Sequence, residues 1–162
     1  MTSLTPCLWY DGAAEEAARF YAATFPNSSV DAVQRAPARY PAGEEGAVLT
    51  VAFTLLGQQF LALNGGARSP FTEAVSFQIH TGDQAETDHY WAAIVQNGGS
   101  ESRCGWCKDR WGLSWQIVPR QLTDALKDPD PHARKRAFEA MMTMAKIDVA
   151  RIEMARRGGS PP

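Results

Sequence analysis

The stretch Ala47 to Asn64, AVLTVAFTLLGQQFLALN, decides the fold because it holds two alternating segments around a glycine. In the first segment, small or polar residues alternate with the apolar residues Val51, Phe53 and Leu55. This period of two is typical of a strand with one buried face. Gly57-Gln58 is predicted to be a tight turn into a second strand, Gln59 to Asn64. The sequence therefore predicts a β-hairpin.

The segments around this hairpin predict one module and its repeat. Before the hairpin, the patterns predict a strand at 4–10, a helix at 14–25 and an edge strand at 29–35. After it, they predict a strand at 74–81, a helix at 83–96, short strands near 101–104 and 106–109, and a last strand at 113–118. Each half therefore has the order strand, helix, strand, strand, strand, an internal structural repeat without matched residues.

The predicted fold class is α+β, with two βαβββ modules at residues 1–66 and 73–119 of one domain spanning 1–119. Residues 120–162 are predicted to form a helical C-terminal extension, with helices at 121–127, 132–145 and 147–155. One stripe of the middle helix is apolar: Ala137, Phe138, Met141, Met142 and Ala145. Such a stripe favours packing on its own domain or on a twin subunit over a docking face.

Composition and charge exclude several classes of function. The 162 residues include 16 basic and 18 acidic side chains, for a net charge of -2, and 44% are hydrophobic. This balance is typical of a globular protein and gives no strong field for nucleic acid or membrane surfaces. No apolar run approaches the ~20 residues of a membrane helix, and no secretory signal is apparent. We expect a cytoplasmic protein with no nucleic-acid or membrane partner.

The three cysteines include a Cys-x-x-Cys motif, Cys104-Gly105-Trp106-Cys107. A reactive pair places its first cysteine at a helix N-terminus, which lowers the pKa of the thiol. Here the motif lies between predicted short strands. The pattern therefore favours two structural cysteines in a reducing compartment over a redox centre.

Several motifs together indicate a family. They include TPCLWYDG at Thr5–Gly12, LALNGG at Leu61–Gly66, AVSF at Ala74–Phe77, DHYW at Asp88–Trp91 and GLSWQIVP at Gly112–Pro119. The chain thereby resembles the PhnB-like branch of the vicinal-oxygen-chelate (glyoxalase/bleomycin-resistance) superfamily, often named 3-demethylubiquinone-9 3-methyltransferase-like. The resemblance implies that eight strands curl into an open cup and that the protein is a homodimer.

The resemblance also implies four metal-ligand positions, which fall at Pro6, Thr50, Ser76 and Gln116. Proline has no donor side chain, and two hydroxyls and one amide are poor ligands for Zn²⁺, Ni²⁺ or iron. We therefore expect no metal and no cofactor. The methyltransferase name is also unsupported, because a common adenosylmethionine site needs a glycine-rich turn and the chain contains no Gly-x-Gly.

Polar residues on the strands predict the binding site, since each strand has one apolar face for its helix and one polar face. The predicted ligand pocket consists of Thr50, Asn64, Ser76, Gln78, Trp106 and Gln116. The predicted function is metal-independent binding of a small, polar-aromatic molecule by a homodimer.

Two other functions stay open at this stage. The first is an enzyme of the same fold, with an unlocated metal or with acid–base groups among Glu73, Asp109 and His80; no catalytic residue is assigned. The second is a regulatory partner protein that uses the helical extension. Fold alone does not decide between them.

Overall fold

The computed structural model describes residues 2–159 and divides the chain into two compact units, Met1–Phe71 and Thr72–Pro162. Each unit contains one four-stranded sheet with a helix packed on one face. No helix among residues 2–159 is both long enough and apolar enough to cross a bilayer.

The first unit contains one βαβββ module. Its elements are β1 (Cys7–Tyr10), α1 (Ala14–Thr24), β2 (Ser29–Arg35), β3 (Val48–Leu55) and β4 (Gln58–Asn64). The sheet order is β1-β4-β3-β2, with β1 parallel to β4 and the other pairs antiparallel. The prediction that 29–35 forms an edge strand is confirmed.

The apolar parity of β3 packs against α1. Val51, Phe53 and Leu55 are buried, and the Phe53 ring lies 6.0 Å from the ring of Tyr21 on α1. The Tyr21 hydroxyl is also 3.1 Å from the hydroxyl of Tyr10 on β1. Burial of this one parity confirms the predicted helix-facing side of the sheet.

The hairpin turn lies one residue earlier than predicted. Leu55 pairs with Gln58, so the two loop residues are Leu56 and Gly57, with φ of 50° and 80°. Two-residue hairpin loops with positive φ at both positions match the twist of the flanking strands. Glycine adopts such a φ without strain, which explains Gly57. The prediction of a Gly57-Gln58 turn is therefore corrected, and β4 begins at Gln58.

The second unit repeats the module. Its elements are β5 (Ser76–Thr81), α2 (Gln84–Val95), β6 (Ser100–Glu101), β7 (Trp106–Lys108) and β8 (Ser114–Pro119). The sheet order is β5-β8-β7-β6, with β5 parallel to β8, which is the pairing pattern of the first sheet. The predicted fold class, α+β with two βαβββ modules, is confirmed.

Helix α2 covers one face of this second sheet. Asp83 caps its first turn by accepting a hydrogen bond from the Glu86 N–H at 2.9 Å. Trp91 and Ile94 on α2 are buried, as is Trp115 on β8. Strand β5 begins two residues later than the predicted strand at 74–81, and Val75, which precedes it, is 61% exposed.

The C-terminal extension forms α3 (Arg120–Leu126), α4 (Pro131–Met141) and α5 (Val149–Arg156). Helix α4 ends four residues before the predicted end at 145. The chain turns there, and Met144 and Ile147 in the connection enter the core of the extension. That core consists of Leu122, Ala125, Ala137, Met144, Ile147 and Ile152. Burial of these two side chains contributes more free energy to folding than one more turn of exposed helix would.

Hydrogen bonds join the connection between α4 and α5 to the second module. The N–H groups of Cys104 and Gly105 donate to the carbonyls of Met144 and Ala145, both at 2.8 Å. The Gln84 amide, at the start of α2, also donates to the Ile147 carbonyl at 3.1 Å. The extension is therefore part of the second compact unit.

Candidate functional site

Two rows of side chains cross the second sheet on the face opposite α2. Directly paired residues of neighbouring strands point to the same side of a sheet. The first row contains Trp106, Gln116 and Gln78, on β7, β8 and β5; the second contains Lys108, Ser114 and Ser76, in the same strand order. We call these six residues the polar face of the second sheet.

Hydrogen bonds between side chains connect three residues of the polar face. The Gln78 amide Nε2 donates to Gln116 Oε1 at 3.0 Å, and Gln116 Nε2 donates to Ser76 Oγ at 2.7 Å. A glutamine amide accepts hydrogen bonds through its carbonyl oxygen and donates them through its NH₂ group, and a hydroxyl can both donate and accept. This arrangement leaves the Gln78 carbonyl oxygen and the Ser76 hydroxyl hydrogen for a molecule bound on the face.

A pocket of about 320 Å³ adjoins the polar face, within the second unit. Its lining contains the residues Glu73, Ser102, Arg103, Cys104, Trp106, Cys107, Lys108 and Ser114. Trp106, Lys108 and Ser114 belong to both the pocket and the polar face. The volume is at the lower end of the range for small-molecule sites.

Ser114, one of the residues that line this pocket, has a side-chain hydroxyl without a hydrogen-bond partner. The residue is fully buried, and the structure offers Oγ no partner anywhere in residues 2–159. Buried polar atoms are nearly always paired with protein, water or a bound molecule. Ser114 is therefore an exception to this pairing among the described residues, and a polar group that reached its hydroxyl would satisfy it.

An ion pair closes one side of the pocket. Glu73 Oε1, in the turn before β5, lies 2.8 Å from Lys108 Nζ. The side chains are 67% and 38% exposed, so solvent screens the attraction and the pair is weak. The hydrogen bond and charge of Lys108 hold the pKa of Glu73 below its ordinary value.

In the first unit, the structure separates the two predicted pocket residues. Thr50 lies on the partly exposed face of β3 and donates its hydroxyl to Gln34 Oε1 at 3.0 Å. Asn64 lies on the opposite, helix-covered face with Phe60 and Ala62, and is 5% exposed. That Thr50 contacts a ligand stays a prediction. That it does so together with residues of the second unit also stays a prediction.

Asn64 is engaged in the fold through both ends of its amide. Oδ1 accepts from the Ala14 N–H at the start of α1, and Nδ2 donates to the Val48 carbonyl, both at 2.9 Å. The prediction that Asn64 points to the same face as Thr50 is therefore wrong. The side chain pairs a helix N–H that would otherwise be unsatisfied.

The acid–base candidates are not brought together. Asp109 is buried: Oδ1 accepts from the Trp111 and Leu113 N–H groups at 3.0 and 3.1 Å, and Oδ2 from Trp115 Nε1 at 2.9 Å. These three bonds hold the turn before β8. Glu73 pairs with Lys108, while His80 is an exposed residue on β5 outside the pocket lining.

The cysteine motif begins in the turn between β6 and β7 and ends on β7, where Cys107 lies. Cys104 and Gly105 have φ of 59° and 82°, so the first cysteine is not at a helix N-terminus. Burial, with the nearby Asp109 and Glu101 charges, raises the pKa of the Cys107 thiol to about 12. A thiol that stays protonated is a poor nucleophile. The prediction that the motif lies between short strands is confirmed, and the interpretation of the pair as structural cysteines stays a prediction.

The residues at the family's metal positions do not fit a metal. Pro6 has no donor side chain, and Thr50, Ser76 and Gln116 offer hydroxyls and an amide, which bind transition metals weakly. Two of them already bond to each other, since Gln116 donates to Ser76. Across residues 2–159, His, Cys, Asp and Glu side chains form no cluster of three that could hold an ion.

The sequence-based prediction of the pocket included Ser76 but omitted the other two residues of the second row. Lys108 and Ser114 were not in the predicted pocket, although they share strand parity with Trp106 and Gln116. That parity was the available signal. The register between β7 and β8, which places Lys108 opposite Ser114, could not be read from the sequence.

Comparison with known proteins identifies the family. Residues 2–118 match the family described as 3-demethylubiquinone-9 3-methyltransferase, so the chain belongs to that family. The match ends within β8, and helices α3, α4 and α5 lie beyond it. No curated protein matches the chain.

Solved structures agree with this assignment. A putative 3-demethylubiquinone-9 3-methyltransferase, PhnB protein, from Bacillus cereus is 29% identical, with a TM-score of 0.65 over 73% of this chain and 99% of that chain. A protein from Pseudomonas aeruginosa is 16% identical, with a TM-score of 0.60 over 74% of this chain and 98% of that one. The predicted resemblance to PhnB-like proteins is confirmed by the family match and by the B. cereus structure, and the P. aeruginosa structure supports the fold.

Proposed function

We propose that this protein binds a small polar-aromatic molecule on the polar face of the second sheet and does so without a metal ion. The observation that carries the proposal is the hydrogen-bonded series Gln78–Gln116–Ser76 beside the half-buried Trp106. Three polar side chains that are already aligned lose little freedom when a ligand binds, which favours affinity.

Trp106 supplies the aromatic part of the site. It pairs directly with Gln116 across β7 and β8, and its side chain is partly exposed at the pocket. An indole offers a broad apolar surface on which a flat ring can stack. A ligand ring on Trp106 would therefore place its polar substituents near the Gln116 and Gln78 amides.

Metal-independent binding follows from the donor chemistry of the face. Its amides and hydroxyls make good hydrogen bonds with neutral polar groups but weak bonds with Zn²⁺ or iron. Recognition in this proposal uses hydrogen bonds and stacking, with no coordination step.

Methyl transfer, which the family name suggests, is not part of the proposal. A common adenosylmethionine site needs a glycine-rich turn between a strand and a helix. Here the segment between β1 and α1 contains one glycine, Gly12, and the segment between β5 and α2 contains one, Gly82. Neither segment provides Gly-x-Gly.

A homodimer is the assembly that we propose. Each four-stranded sheet has two edge strands, and uncovered edges favour pairing with another chain. Phe138 and Met142, one helical turn apart at the end of α4, are each 49% exposed and add apolar surface. Twofold homodimers are the commonest soluble assembly.

An NMR titration tests the site. Benzamide is added to ¹⁵N-labelled protein in buffer containing EDTA, and the side-chain amide signals of Gln78 and Gln116 and the indole N–H signal of Trp106 are followed. We expect these signals to shift together and to saturate, while the signal of the Trp91 indole, which is buried on α2, stays unchanged. Saturable shifts elsewhere, or none at the solubility limit of benzamide, would contradict the proposal.

A further inference from the structure

The geometry points to a carboxylate subsite in the pocket beside the polar face, formed by Lys108 and Ser114, in which Lys108 is paired with the carboxylate of Glu73 in the free protein. This inference rests on the proposed function and deepens it, because it makes the ligand class an aromatic carboxylic acid. Its basis is the second row of the polar face and the charges that line the pocket.

Lys108 and Ser114 are placed to bind one oxyanion together. They are directly opposite in the antiparallel β7–β8 pair, where Cβ atoms are about 4.5–5.5 Å apart. Lysine brings a mobile ammonium with three N–H donors, and serine brings one O–H donor. Ser114 Oγ has no partner elsewhere in residues 2–159, so its hydrogen is available to an acceptor in the pocket.

Glu73 already presents a carboxylate to this subsite. Its Oε1 lies 2.8 Å from Lys108 Nζ, the distance of a charge-assisted hydrogen bond. Glu73 is 67% exposed and lies in the turn before β5, so the bond to Lys108 is weakly stabilising. A ligand carboxylate can therefore replace the Glu73 carboxylate at little energetic cost.

The charge balance of the lining favours an anion. Two cations, Lys108 and Arg103, and one carboxylate, Glu73, line the pocket, for a sum of +1. The whole chain, in contrast, has a net charge of -2. Arg103 forms no ion pair with any residue that the structure describes, so its charge is not neutralised locally.

The spacing of the two rows fits a single aromatic ring. Positions two residues apart along a strand are separated by about 6.6–6.8 Å. A ring stacked on Trp106 can thus direct its carboxylate toward Lys108 and Ser114 and a second polar group toward Gln116 and Gln78. The same two rows would bind both ends of the ligand.

Calorimetric titrations with three probes that share a phenyl ring test the inference. Benzoate, benzamide and phenylphosphonate are titrated into the wild type and into four single variants: Lys108→Met, Ser114→Ala, Glu73→Gln and Lys135→Met. Lys135 is an exposed residue of α4 outside the pocket and serves as the control.

We expect the wild type to bind benzoate more tightly than the other two probes. Lys108→Met should weaken benzoate binding at least about 5-fold and Ser114→Ala about 2- to 10-fold, from the loss of one hydrogen bond each. Glu73→Gln should strengthen benzoate binding, because the competing carboxylate is gone. Benzamide affinity should stay within about 2-fold in Glu73→Gln and Lys135→Met, whereas Lys108→Met and Ser114→Ala should weaken benzoate binding more than benzamide binding.

The outcomes separate this inference from the proposed function. Equal affinities for benzoate and benzamide, or unchanged benzoate binding in Lys108→Met, would overturn the subsite and leave the proposed function in place. A preference for phenylphosphonate would overturn the carboxylate class. If the wild type did not bind benzamide at all, the proposed function itself would be overturned.

A melting curve of Ser114→Ala distinguishes a ligand-binding role of Ser114 from a purely structural one. If Ser114 serves the ligand, removal of its unpaired hydroxyl leaves the melting temperature unchanged or raises it, because a buried polar atom without a partner is destabilising. A marked fall in the melting temperature would show that the serine stabilises the fold and would overturn its assignment to the subsite.

Discussion

Gln116 Nε2 lies 2.7 Å from Ser76 Oγ on the neighbouring parallel strand, while Gln116 Oε1 accepts from Gln78 at 3.0 Å. One amide on β8 thus connects two alternate residues of β5. These residues lie at the partly exposed surface of the sheet, where water can replace either bond. The hydrogen bonds therefore orient Gln116 more than they stabilise the fold.

Replacement of Gln116 by alanine is expected to change ligand affinity more than stability. The hydrogen bond to a ligand contributes about 0.5–1.5 kcal/mol, whereas water replaces the lost bonds to Ser76 and Gln78. The measurement pairs the melting temperature with the affinity for benzamide. Gln96→Ala, an exposed position at the end of α2, is the matched control. A large loss of stability with unchanged binding would show that Gln116 is a core residue.

Asn64→Ala, in contrast, is expected to change stability more than ligand affinity. Removal of this amide leaves the Ala14 N–H and the Val48 carbonyl without their partner in a buried region, at a cost of about 1–3 kcal/mol in the free energy of unfolding. Denaturant unfolding measures the change. Asn97→Ala is the control, because Asn97 is exposed and bonds only within the end of α2. Equal stabilities of the two variants would contradict the assigned role of Asn64.

The C-terminal extension should lose stability in acid through Asp128. Its carboxylate accepts from the Asp130 N–H at 2.9 Å and from Arg156 Nε at 2.6 Å, which lowers the pKa of Asp128 below its ordinary value. A lowered pKa in the folded state adds stability above the unfolded pKa of about 3.9 and loses it as pH falls through the folded pKa.

Asp128→Asn tests this dependence. The variant should be less stable than the wild type at neutral pH, and the difference between the two should shrink as the pH falls below about 4. Thermal unfolding across a pH series measures both chains. A difference that stays constant over the series would show that the Asp128 charge does not contribute.

The proposed homodimer predicts a concentration-dependent sedimentation coefficient, with the dimer as the main species at high protein concentration. If the exposed apolar residues of α4 take part, Met142→Lys should shift the equilibrium toward the monomer, because it would bury a charge in the interface. Lys127→Met, an exposed change outside α4, serves as the control. A monomer at every dilution of the wild type would contradict the proposal.

Strand alternation was sufficient to predict the two modules and the buried face of each long strand. Val51, Phe53 and Leu55 share one parity, and the structure packs that parity on α1. Alternation could not show whether a polar residue at a strand end lines a pocket or forms hydrogen bonds within the fold. The sequence predicts Asn64 to be a pocket residue. In the structure, its amide bonds to the N-terminus of α1 instead. The sequence does not distinguish the two, because a buried amide can serve either purpose.

Long-range register accounts for the other differences between prediction and structure. Ser114 and Lys108 become neighbours only through the pairing of β7 with β8. Met144 falls in the predicted helix at 132–145 and Ile147 begins the one at 147–155. Both lie in the connection between α4 and α5 instead, because their side chains are buried in the core of the extension. Local sequence patterns contain no information on these tertiary contacts.

Benzamide affinity, measured by calorimetry with and without EDTA, tests the central claim most directly, because it addresses binding and metal independence together. The account predicts saturable binding at one site for each chain, with the same dissociation constant in both buffers. Loss of binding on addition of EDTA would show that a metal ion takes part in recognition. No saturable binding in either buffer would contradict a small-molecule site on the polar face of the second sheet.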